Sequence, residues 1–337
     1  MNYNLKPVGE QTIVITGASS GIGLVTARMA AKRGARLVLA ARSEDALRKL
    51  CDELNQGETR AIHVVADVGR EDQVHRIAHT AISHFGGIDT WVNDAGLSVY
   101  GRIMDVPIED MHRLIDTDFW GVVYGSRIAV RHMSSRGGAL INIGSVVSDR
   151  AIPMQGIYSA AKHAVKGFTN ALRMELEEAN VPISVSLIKP TGINTPFPDH
   201  AQNYMDRSPT LPPPVYAPEA VAEAILHCAE TPERELFIGS GAKVMSASEQ
   251  YAPRLTDKLM EGTMFEAQKA DRPPRSNERS SLYHAGADLQ ERGSYDGHTM
   301  ETSFYTKATM HPMVTGAVLL GAGLAIAKMW KPSYSNS

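Results

Sequence analysis

The sequence predicts an α/β fold with a doubly wound parallel sheet, followed by a C-terminal polar extension and a hydrophobic tail helix. Short apolar runs alternate with amphipathic stretches from residue 12 to about residue 240. The runs are apolar almost throughout, rather than at every second position, which is typical of parallel strands covered on both faces. Right-handed crossovers would then place helices on either side of one sheet.

The alternation defines the elements in chain order. The predicted strands cover residues 12–16, 36–40, 61–66, 88–93, 139–144, 183–188 and 235–238. The predicted helices cover residues 22–33, 45–55, 71–85, 111–133, 156–179 and 218–230. The first strand leads through a glycine-rich loop into the first helix, and this order is typical of a Rossmann-type nucleotide-binding fold.

Two regions interrupt the alternation. Residues 195–215 contain six prolines and no strand pattern, and we expect a lid with a short helix over the carboxyl ends of the strands. Within this lid, His200, Tyr204 and Met205 either touch substrate or pack against the lid itself. Residues from about 251 to 312 are polar and highly charged, and we expect a poorly packed extension. The predicted organisation is a domain at 8–247, an extension at 248–312 and an apolar helix at 313–330.

Composition excludes several classes of protein. The net charge is −3 and no block of lysine or arginine occurs, which argues against a nucleic-acid partner. Cys51 and Cys228 lack metal-type spacing, and residues 1–11 lack the apolar core of a signal peptide, so we expect a cytoplasmic protein. His75 and His79 lie four residues apart but lack a third ligand, and we interpret them as a solvated helix face rather than a metal site.

The loop between the first strand and the first helix has the sequence TGASSGIG. Glycines allow the backbone to turn tightly and to approach a pyrophosphate, whose charge is met by the N-terminus of the helix. Glycines also occur in ordinary turns, but the strand–loop–helix context favours a dinucleotide site. The residues expected to contact the cofactor here are Gly17, Ser19, Ser20, Gly21, Ile22 and Gly23.

The end of the second strand indicates which cofactor is preferred. An acidic residue at this position would accept hydrogen bonds from the adenosine ribose and would repel a 2′-phosphate. Ala41 occupies that position and Arg42 follows it. A guanidinium pairs well with phosphate oxygens, so the sequence predicts NADP(H) in preference to NAD(H). The alternative is that Arg42 is a solvated surface charge.

Together with the segments that follow, these residues resemble the short-chain dehydrogenase/reductase family over about residues 12–240. The glycine loop fits the family pattern TGxxxGxG, and residues 93–96 (NDAG) are similar to its NNAG motif, with Asp94 in the second position. Ser145 lies thirteen residues before a YxxxK motif formed by Tyr158 and Lys162. Residues 190–195 (PTGINT) are similar to the PGxxxT segment, with threonine and glycine shifted by one.

The resemblance implies further roles. Tyr158 and Lys162 would contact the cofactor, with Lys162 on the nicotinamide ribose, while Ile193 and Thr195 would steady the carboxamide. A homodimer or homotetramer would be built on the helices at 111–133 and 156–179. The other cofactor contacts implied by the motifs are Asp67, Val68, Asn93, Ala95, Gly96 and Pro190.

The proposed catalytic chemistry depends on three side chains. Tyr158 and Lys162 are four residues apart in a helical pattern, so both project from one face. A phenol titrates near pH ~10, and we expect the adjacent ammonium to lower the pKa of Tyr158. Tyr158 could then give a proton to a carbonyl or remove one from an alcohol. Ser145 ends a strand at the edge where ligands bind, and its hydroxyl could stabilise the reacting oxygen.

One position departs from the family pattern. The family usually has an asparagine on the preceding helix, in a proton relay with the lysine, and the matching residue here is Asp118. An aspartate retains the main-chain carbonyl that usually makes this contribution. Its carboxylate could instead bind the ammonium of Lys162 and reduce the influence of that ammonium on Tyr158.

The C-terminal segment adds an ambiguity about location. Residues 313–327 are 15 uncharged residues, fewer than the ~20 that span a bilayer core, and Lys328, Trp330 and Lys331 resemble interfacial anchors. We expect membrane association with the domain in the cytoplasm. The alternative is a helix that docks on its own domain or on a dimer mate.

The function that these residues predict is hydride transfer between NADP(H) and a carbonyl or secondary alcohol of a small, lipophilic molecule. Asp94 and Asp118 leave open a non-catalytic nucleotide-binding scaffold or regulator on the same fold. A third alternative is a membrane-interaction protein whose tail is the functional part.

Overall fold

The computed structural model describes residues 3–277, 280–286, 289–313 and 315–316. Its centre is a seven-stranded sheet in which every neighbouring pair is parallel. The strands of this sheet are β1 (Thr12–Thr16), β2 (Arg36–Ala41), β3 (Ala61–Val65), β4 (Thr90–Asn93), β6 (Gly138–Ile143), β7 (Ile183–Pro190) and β11 (Glu235–Ile238). Their order across the sheet is β11-β7-β6-β4-β1-β2-β3. All seven strands agree with the sequence-based prediction to within two residues at either end.

Shorter strands lie outside the central sheet. They are β5 (Val99–Tyr100), β8 (Gly192–Ile193), β9 (Gln202–Asn203), β10 (Val215–Tyr216) and β12 (Thr299–Met300). The helices are α1 (Gly21–Lys32), α2 (Glu44–Leu54), α3 (Glu71–Phe85), α4 (Ile108–Ile115), α5 (Gly121–Met133), α6 (Gly156–Glu178), α7 (Pro218–Glu230), α8 (Ser240–Tyr251), α9 (Pro253–Ala267) and α10 (Phe304–Met310).

Apolar side chains cover both faces of the sheet, as the doubly wound prediction requires. On one face, Ile13 and Ile15 of β1 are fully buried in a cluster with Leu24 of α1 and Ile225 of α7. On the other face, Val14 of β1 is buried in a second cluster with residues of α3 and α5. Successive β1 residues thus serve opposite faces, because side chains alternate along a strand.

The helix predicted at 111–133 is instead three consecutive segments. α4 ends at Ile115, a π-helical turn follows at Asp116–Trp120, and α5 begins at Gly121. The Gly121 N–H donates to the Asp116 carbonyl, five residues earlier, which is the π-helical pattern. A π turn accommodates one extra residue and is often found at functional sites. Because helical periodicity continues through such a turn, the sequence pattern did not reveal it.

The lid at 195–215 contains no helix, and the predicted short helix is wrong. The described backbone has turns and bends here, together with β9 and the start of β10. β9 pairs with β5, and β10 pairs with β8, which ties the lid to the rim of the sheet. The pairing partners lie far away in sequence, so local patterning could not predict these strands.

The expectation of a poorly packed extension is also wrong. β12 pairs with β10, and the Thr306 hydroxyl of α10 donates to the Phe237 carbonyl at 2.9 Å. Leu282 is only 1% exposed and packs with Leu97 and Leu114. The extension therefore adds buried contacts to the domain, although few of its residues are apolar.

Most of the predicted apolar helix at 313–330 lies outside the described residues. Within the part of the chain that the structure does describe, no helix has the length and apolar character needed to cross a membrane.

Candidate active site

A cleft of about 390 Å³ lies at the carboxyl edge of the sheet. Parallel strands bring their carboxyl ends to one edge, so the loops that follow them meet there. The volume is within the range of small-molecule sites. The predicted residues that line the cleft are Gly17, Ser19, Ser20, Gly21, Ile22, Arg42, Asp67, Val68, Ala95, Gly96, Ser145, Tyr158, Lys162, Pro190, Ile193 and Thr195.

Three predicted residues lie behind that lining. Gly23 belongs to the first turn of α1, and a Cβ added there would lie 2.5 Å from the Gly17 carbonyl oxygen. Asn93 accepts a hydrogen bond from Trp91 and donates to Asn142 at 2.8 Å, so its side chain joins β4 to β6. Asp118 is fully buried below Lys162. These residues support the walls of the cleft through their neighbours.

The glycine loop has the conformation expected of a close approach to a ligand. Gly17 has φ +76°, and a Cβ at this position would lie 2.9 Å from the backbone of Ala95. Gly21 also has a positive φ of +53°, which L side chains rarely adopt. The loop leads directly into the N-terminus of α1, where backbone N–H groups and the helix dipole favour an anion.

The catalytic candidates come together in one corner of the cleft. Ser145 follows β6, and its side chain shares a hydrogen bond with Tyr158. Lys162 lies one turn after Tyr158 in α6, with its ammonium nitrogen 5.5 Å from the centre of the tyrosine ring. This ammonium donates to the Ile143 carbonyl at 3.1 Å, at the end of β6. The spacing of the serine and the YxxxK motif therefore corresponds to a real cluster.

The electrostatics of Tyr158 differ from the sequence-based expectation. Burial raises the pKa of the phenol, and the nearby Asp118 carboxylate raises it further. The hydrogen bond with Ser145 acts in the opposite direction, and Asp94 adds to the increase. The net pKa of Tyr158 is therefore raised, whereas the sequence suggested that it would be lowered. The phenol is held in its protonated form, which suits a proton donor.

Asp118 lies in the π turn and contacts the cluster through its side chain. One carboxylate oxygen accepts a hydrogen bond from the Leu97 N–H at 2.7 Å. The other lies 3.5 Å from the Lys162 ammonium and has no hydrogen-bond partner among the described residues. Burial raises the pKa of Asp118 to about 6, and the charge of Lys162 opposes that increase. The carboxylate is thus paired with the ammonium, the second of the two arrangements expected from the sequence.

Asp94 is a second carboxylate close to the same ammonium. It is partly buried beside the glycine loop, and Gly23 contributes a backbone hydrogen bond to it. Burial raises the pKa of Asp94 to about 7, against the opposing effects of Lys162 and Gly23. The carboxyl groups of Asp94 and Asp118 therefore both lie close enough to Lys162 for its charge to act on their pKa values.

The adenosine end of the cleft contains a feature that sequence reasoning missed. Arg42 donates to the carbonyl oxygens of Ser281 and Leu282, the latter at 3.3 Å. Arg113 donates to the same Leu282 carbonyl at 3.0 Å and to the Asp67 carboxylate at 2.6 Å. The C-terminal extension thus forms one wall of the cleft. No local motif marks this segment, because its role depends on contacts more than 150 residues away in sequence.

The opposite end of the cleft is apolar. Its lining residues there are Ile152, Phe197, Leu211, Met245, Met260 and Met264. The Phe197 ring lies 5.6 Å from the Tyr158 ring, which places the proton donor next to this apolar wall. Of the three lid residues singled out from the sequence, His200 lines the cleft. The Tyr204 hydroxyl instead donates to the Asp110 carboxylate at 2.5 Å, and Met205 is buried in a cluster with Tyr100 and Met154.

The cleft lining includes residues with buried hydroxyls that are unpaired within the part of the chain that the structure describes. The side-chain oxygens of Thr117 and Ser281 are enclosed and have no hydrogen-bond partner among the described residues, and both residues line the cleft. Buried hydroxyls are normally paired. Together with the glycine loop, they fit a dinucleotide that lies along the carboxyl edge. The fold and the site define the class as nicotinamide-dependent oxidoreductases.

Comparison with known proteins agrees with this class. Residues 11–205 match the family model for short chain dehydrogenase. An uncharacterized oxidoreductase of Bacillus subtilis, YxnA, is 53% identical over 320 residues, which cover 94% of this chain and 90% of that protein. An 11-beta-hydroxysteroid dehydrogenase A of Arachis hypogaea is 35% identical over 56% of this chain and 54% of its own length.

A solved structure shows the same fold. The alcohol dehydrogenase from the archaeon Thermococcus sibiricus, complexed with 5-hydroxy-NADP, is 28% identical and superimposes with a TM-score of 0.58 over 68% of this chain and 95% of that one. The chain therefore belongs to the short-chain dehydrogenase/reductase family. It is an oxidoreductase of CH–OH and carbonyl groups on a fold that binds a nicotinamide cofactor.

Proposed function

We propose that the protein is an NADP(H)-preferring enzyme that interconverts a carbonyl and a secondary alcohol on a lipophilic small molecule. The observation that carries the proposal is the position of Tyr158, a protonated phenol between Ser145, Lys162 and an apolar wall. In this arrangement the proton donor lies next to an apolar surface that can bind a lipophilic substrate.

The cofactor would lie across the cleft from the second strand to the lid. The glycine loop and the N-terminus of α1 would hold the pyrophosphate, and Lys162 would bind the nicotinamide ribose. Ile193 and Thr195 would steady the carboxamide. When bound, the nicotinamide accepts or supplies the hydride.

The side chains of the protein would move the proton. In reduction, the Tyr158 hydroxyl donates its proton to the carbonyl oxygen, and the Ser145 hydroxyl donates a hydrogen bond to the same oxygen. In oxidation, the phenolate form of Tyr158 would remove the proton of the alcohol. Lys162 would stabilise that phenolate, and the Asp118 carboxylate, 3.5 Å from the ammonium, would weaken this effect.

Preference for NADP(H) is supported by the residues after β2. Ala41 leaves no carboxylate to repel a 2′-phosphate, and Arg42 lines the cleft with a planar guanidinium. The solved relative bound to 5-hydroxy-NADP supports the same cofactor type. A lipophilic substrate is supported by the wall that contains Met260 and Met264, and by the steroid named for the Arachis hypogaea relative.

The assembly and location also belong to this proposal. We place the oxidoreductase domain at 8–247, the extension at 248–312 and a membrane-associating segment at 313–330. A homodimer or homotetramer would use α5 with its π turn, and α6, where Trp120 and Met174 are 42% and 59% exposed. Vesicle co-sedimentation of the full chain and of a chain ending at Pro312 would test the membrane contact, and light scattering would test the assembly.

The enzyme assay is the absorbance change at 340 nm with NADPH or NADH and a panel of ketones, aldehydes and lipophilic alcohols. Turnover with NADPH that is lost in Tyr158→Phe, while binding of NADPH persists, would support the proposal. Binding without turnover across the panel would favour the scaffold alternative, to which the two carboxylates around Lys162 point.

A further inference from the structure

The segment 280–283 of the C-terminal extension is held firmly over the adenosine end of the cleft. The Ser280 hydroxyl donates to the Gln202 side chain at 2.5 Å, and the Ser281 N–H donates to the His200 carbonyl at 2.7 Å. Both partners belong to the lid. The segment is thus tied to the lid at two successive residues.

The next two residues attach the same segment to the body of the domain. The Leu282 side chain is buried among apolar residues, while the Tyr283 hydroxyl donates to the buried Asp110 carboxylate at 2.6 Å. The main-chain carbonyls of Ser281 and Leu282 accept hydrogen bonds from the Arg42 guanidinium. The Leu282 carbonyl also accepts one from Arg113. Packing and hydrogen bonds from both sides therefore determine where this backbone lies.

One polar side-chain atom in this ordered segment is left over. The Ser281 hydroxyl is buried, its residue is 7% exposed, and it has no hydrogen-bond partner among the described residues. Ser281 lines the cleft together with Arg42 and with Ala285 and Gly286 of the extension. An unpaired buried hydroxyl costs free energy, so its location in a residue that lines the cleft points to a polar group of a ligand.

The geometry points to Ser281 as a cofactor-specificity residue supplied by the extension: we propose that its hydroxyl donates a hydrogen bond to the 2′-phosphate of NADP(H), beside Arg42. This inference rests on the proposed preference for NADP(H). Ser281 lies outside residues 11–205, the part of the chain that matches the family model.

The chemistry suits a phosphate. A guanidinium has five N–H donors, and the bonds from Arg42 to the two carbonyls use two of them. Those bonds orient the planar group and also place Ser281 next to it, so that a cation and a neutral donor are presented together. A hydrogen bond to a charged phosphate oxygen is among the stronger ones in proteins.

The test uses the full chain and two adenosine fragments, 2′,5′-ADP and 5′-AMP, with dissociation constants measured by isothermal titration calorimetry. Ser281→Ala should weaken binding of 2′,5′-ADP about tenfold, the factor expected for losing a hydrogen bond to a charged group, and should leave 5′-AMP unchanged. Ser281→Asp should weaken 2′,5′-ADP more than Ser281→Ala does, because the carboxylate would repel the phosphate.

Ser186→Ala is the matched control, because Ser186 is a buried serine outside the cleft lining whose hydroxyl is bonded to the Glu233 carbonyl. It should leave the ratio of the two affinities unchanged. Selective loss in Arg42→Ala but not in Ser281→Ala would overturn the role of Ser281 and leave the NADP(H) preference standing. A wild-type chain that binds both fragments equally would overturn the preference, and this inference with it.

Discussion

The carboxylate of Asp118 lies 3.5 Å from the ammonium nitrogen of Lys162, and both side chains are buried. The same carboxylate raises the pKa of Tyr158 through its negative charge. The aspartate at this position, where the family pattern has asparagine, thus acts on the electrostatics of the proton donor.

Asp118→Asn should shift the pH dependence of catalysis to lower pH. Removing the negative charge lowers the pKa of Tyr158, so the phenolate needed for alcohol oxidation forms at lower pH. The rate of oxidation near neutral pH should increase several-fold. The check is kcat/KM for an alcohol substrate as a function of pH. Asp116→Asn, at an exposed position in the same π turn, is the control and should leave the profile in place. An unchanged profile in Asp118→Asn would mean that the carboxylate does not act on the phenol.

Asp94→Asn should stabilise the protein at alkaline pH. Burial raises the pKa of Asp94 to about 7, above the ordinary value of ~3.9, so the folded state favours its protonated form. This contribution to stability is complete below pH ~4 and is lost as the pH rises through 7. At pH 8 we expect a gain on the order of 2 kcal/mol, which shrinks toward pH 4.

The measurement for Asp94→Asn is the free energy of unfolding from urea titrations at several pH values. Asp105→Asn, at an exposed position, should have little effect at any pH. A gain that stayed constant from pH 4 to pH 8 would contradict the link to ionisation of Asp94.

Arg42→Ala should reduce the preference for NADPH over NADH. Loss of the guanidinium removes the positive charge next to the expected 2′-phosphate, and we expect the ratio of kcat/KM values for the two cofactors to fall at least about tenfold. Steady-state kinetics with each cofactor test this. Arg48 on α2 is nearby; its side chain is 60% exposed and paired with Asp45. Arg48→Ala should therefore leave the ratio of the kcat/KM values for the two cofactors unchanged. Equal losses for both cofactors would show that Arg42 supports the cleft without distinguishing the phosphate.

Leu282→Ala should destabilise the protein by about 2–5 kcal/mol, the usual range for truncating a buried leucine. Leu282 lies in the extension but is packed against Leu97 and Leu114 of the domain. Denaturant unfolding measures the effect, and Leu255→Ala at a 71% exposed position is the control. If both variants were equally stable, the extension would contribute nothing to the core.

Much of the site could be predicted from the sequence because its residues lie at the ends of consecutive elements. Gly17, Ser145 and Pro190 follow or end their strands, and parallel strands bring these positions together at one edge. The spacing of Tyr158 and Lys162 places them on one face of α6 for the same kind of reason, since helical geometry relates residues four apart.

The remaining features depend on distances between segments that local patterns do not encode. The raised pKa of Tyr158 follows from burial and from Asp118, which is 40 residues earlier in the chain. The wall formed by Ser281 and Leu282 follows from contacts with Arg42 and Arg113, and polar composition alone suggested poor packing there.

The sequence by itself determined the class of fold, the order of the strands along the chain and the residues at the carboxyl edge, because short-range periodicity and fixed spacings encode them. Only the tertiary structure decided the π turn at Asp118, the raised pKa values of Tyr158, Asp94 and Asp118, and the contribution of the extension to the cleft wall. Solvent exclusion and charge–charge distance are properties of the packed molecule, and they arise where segments distant in sequence come into contact.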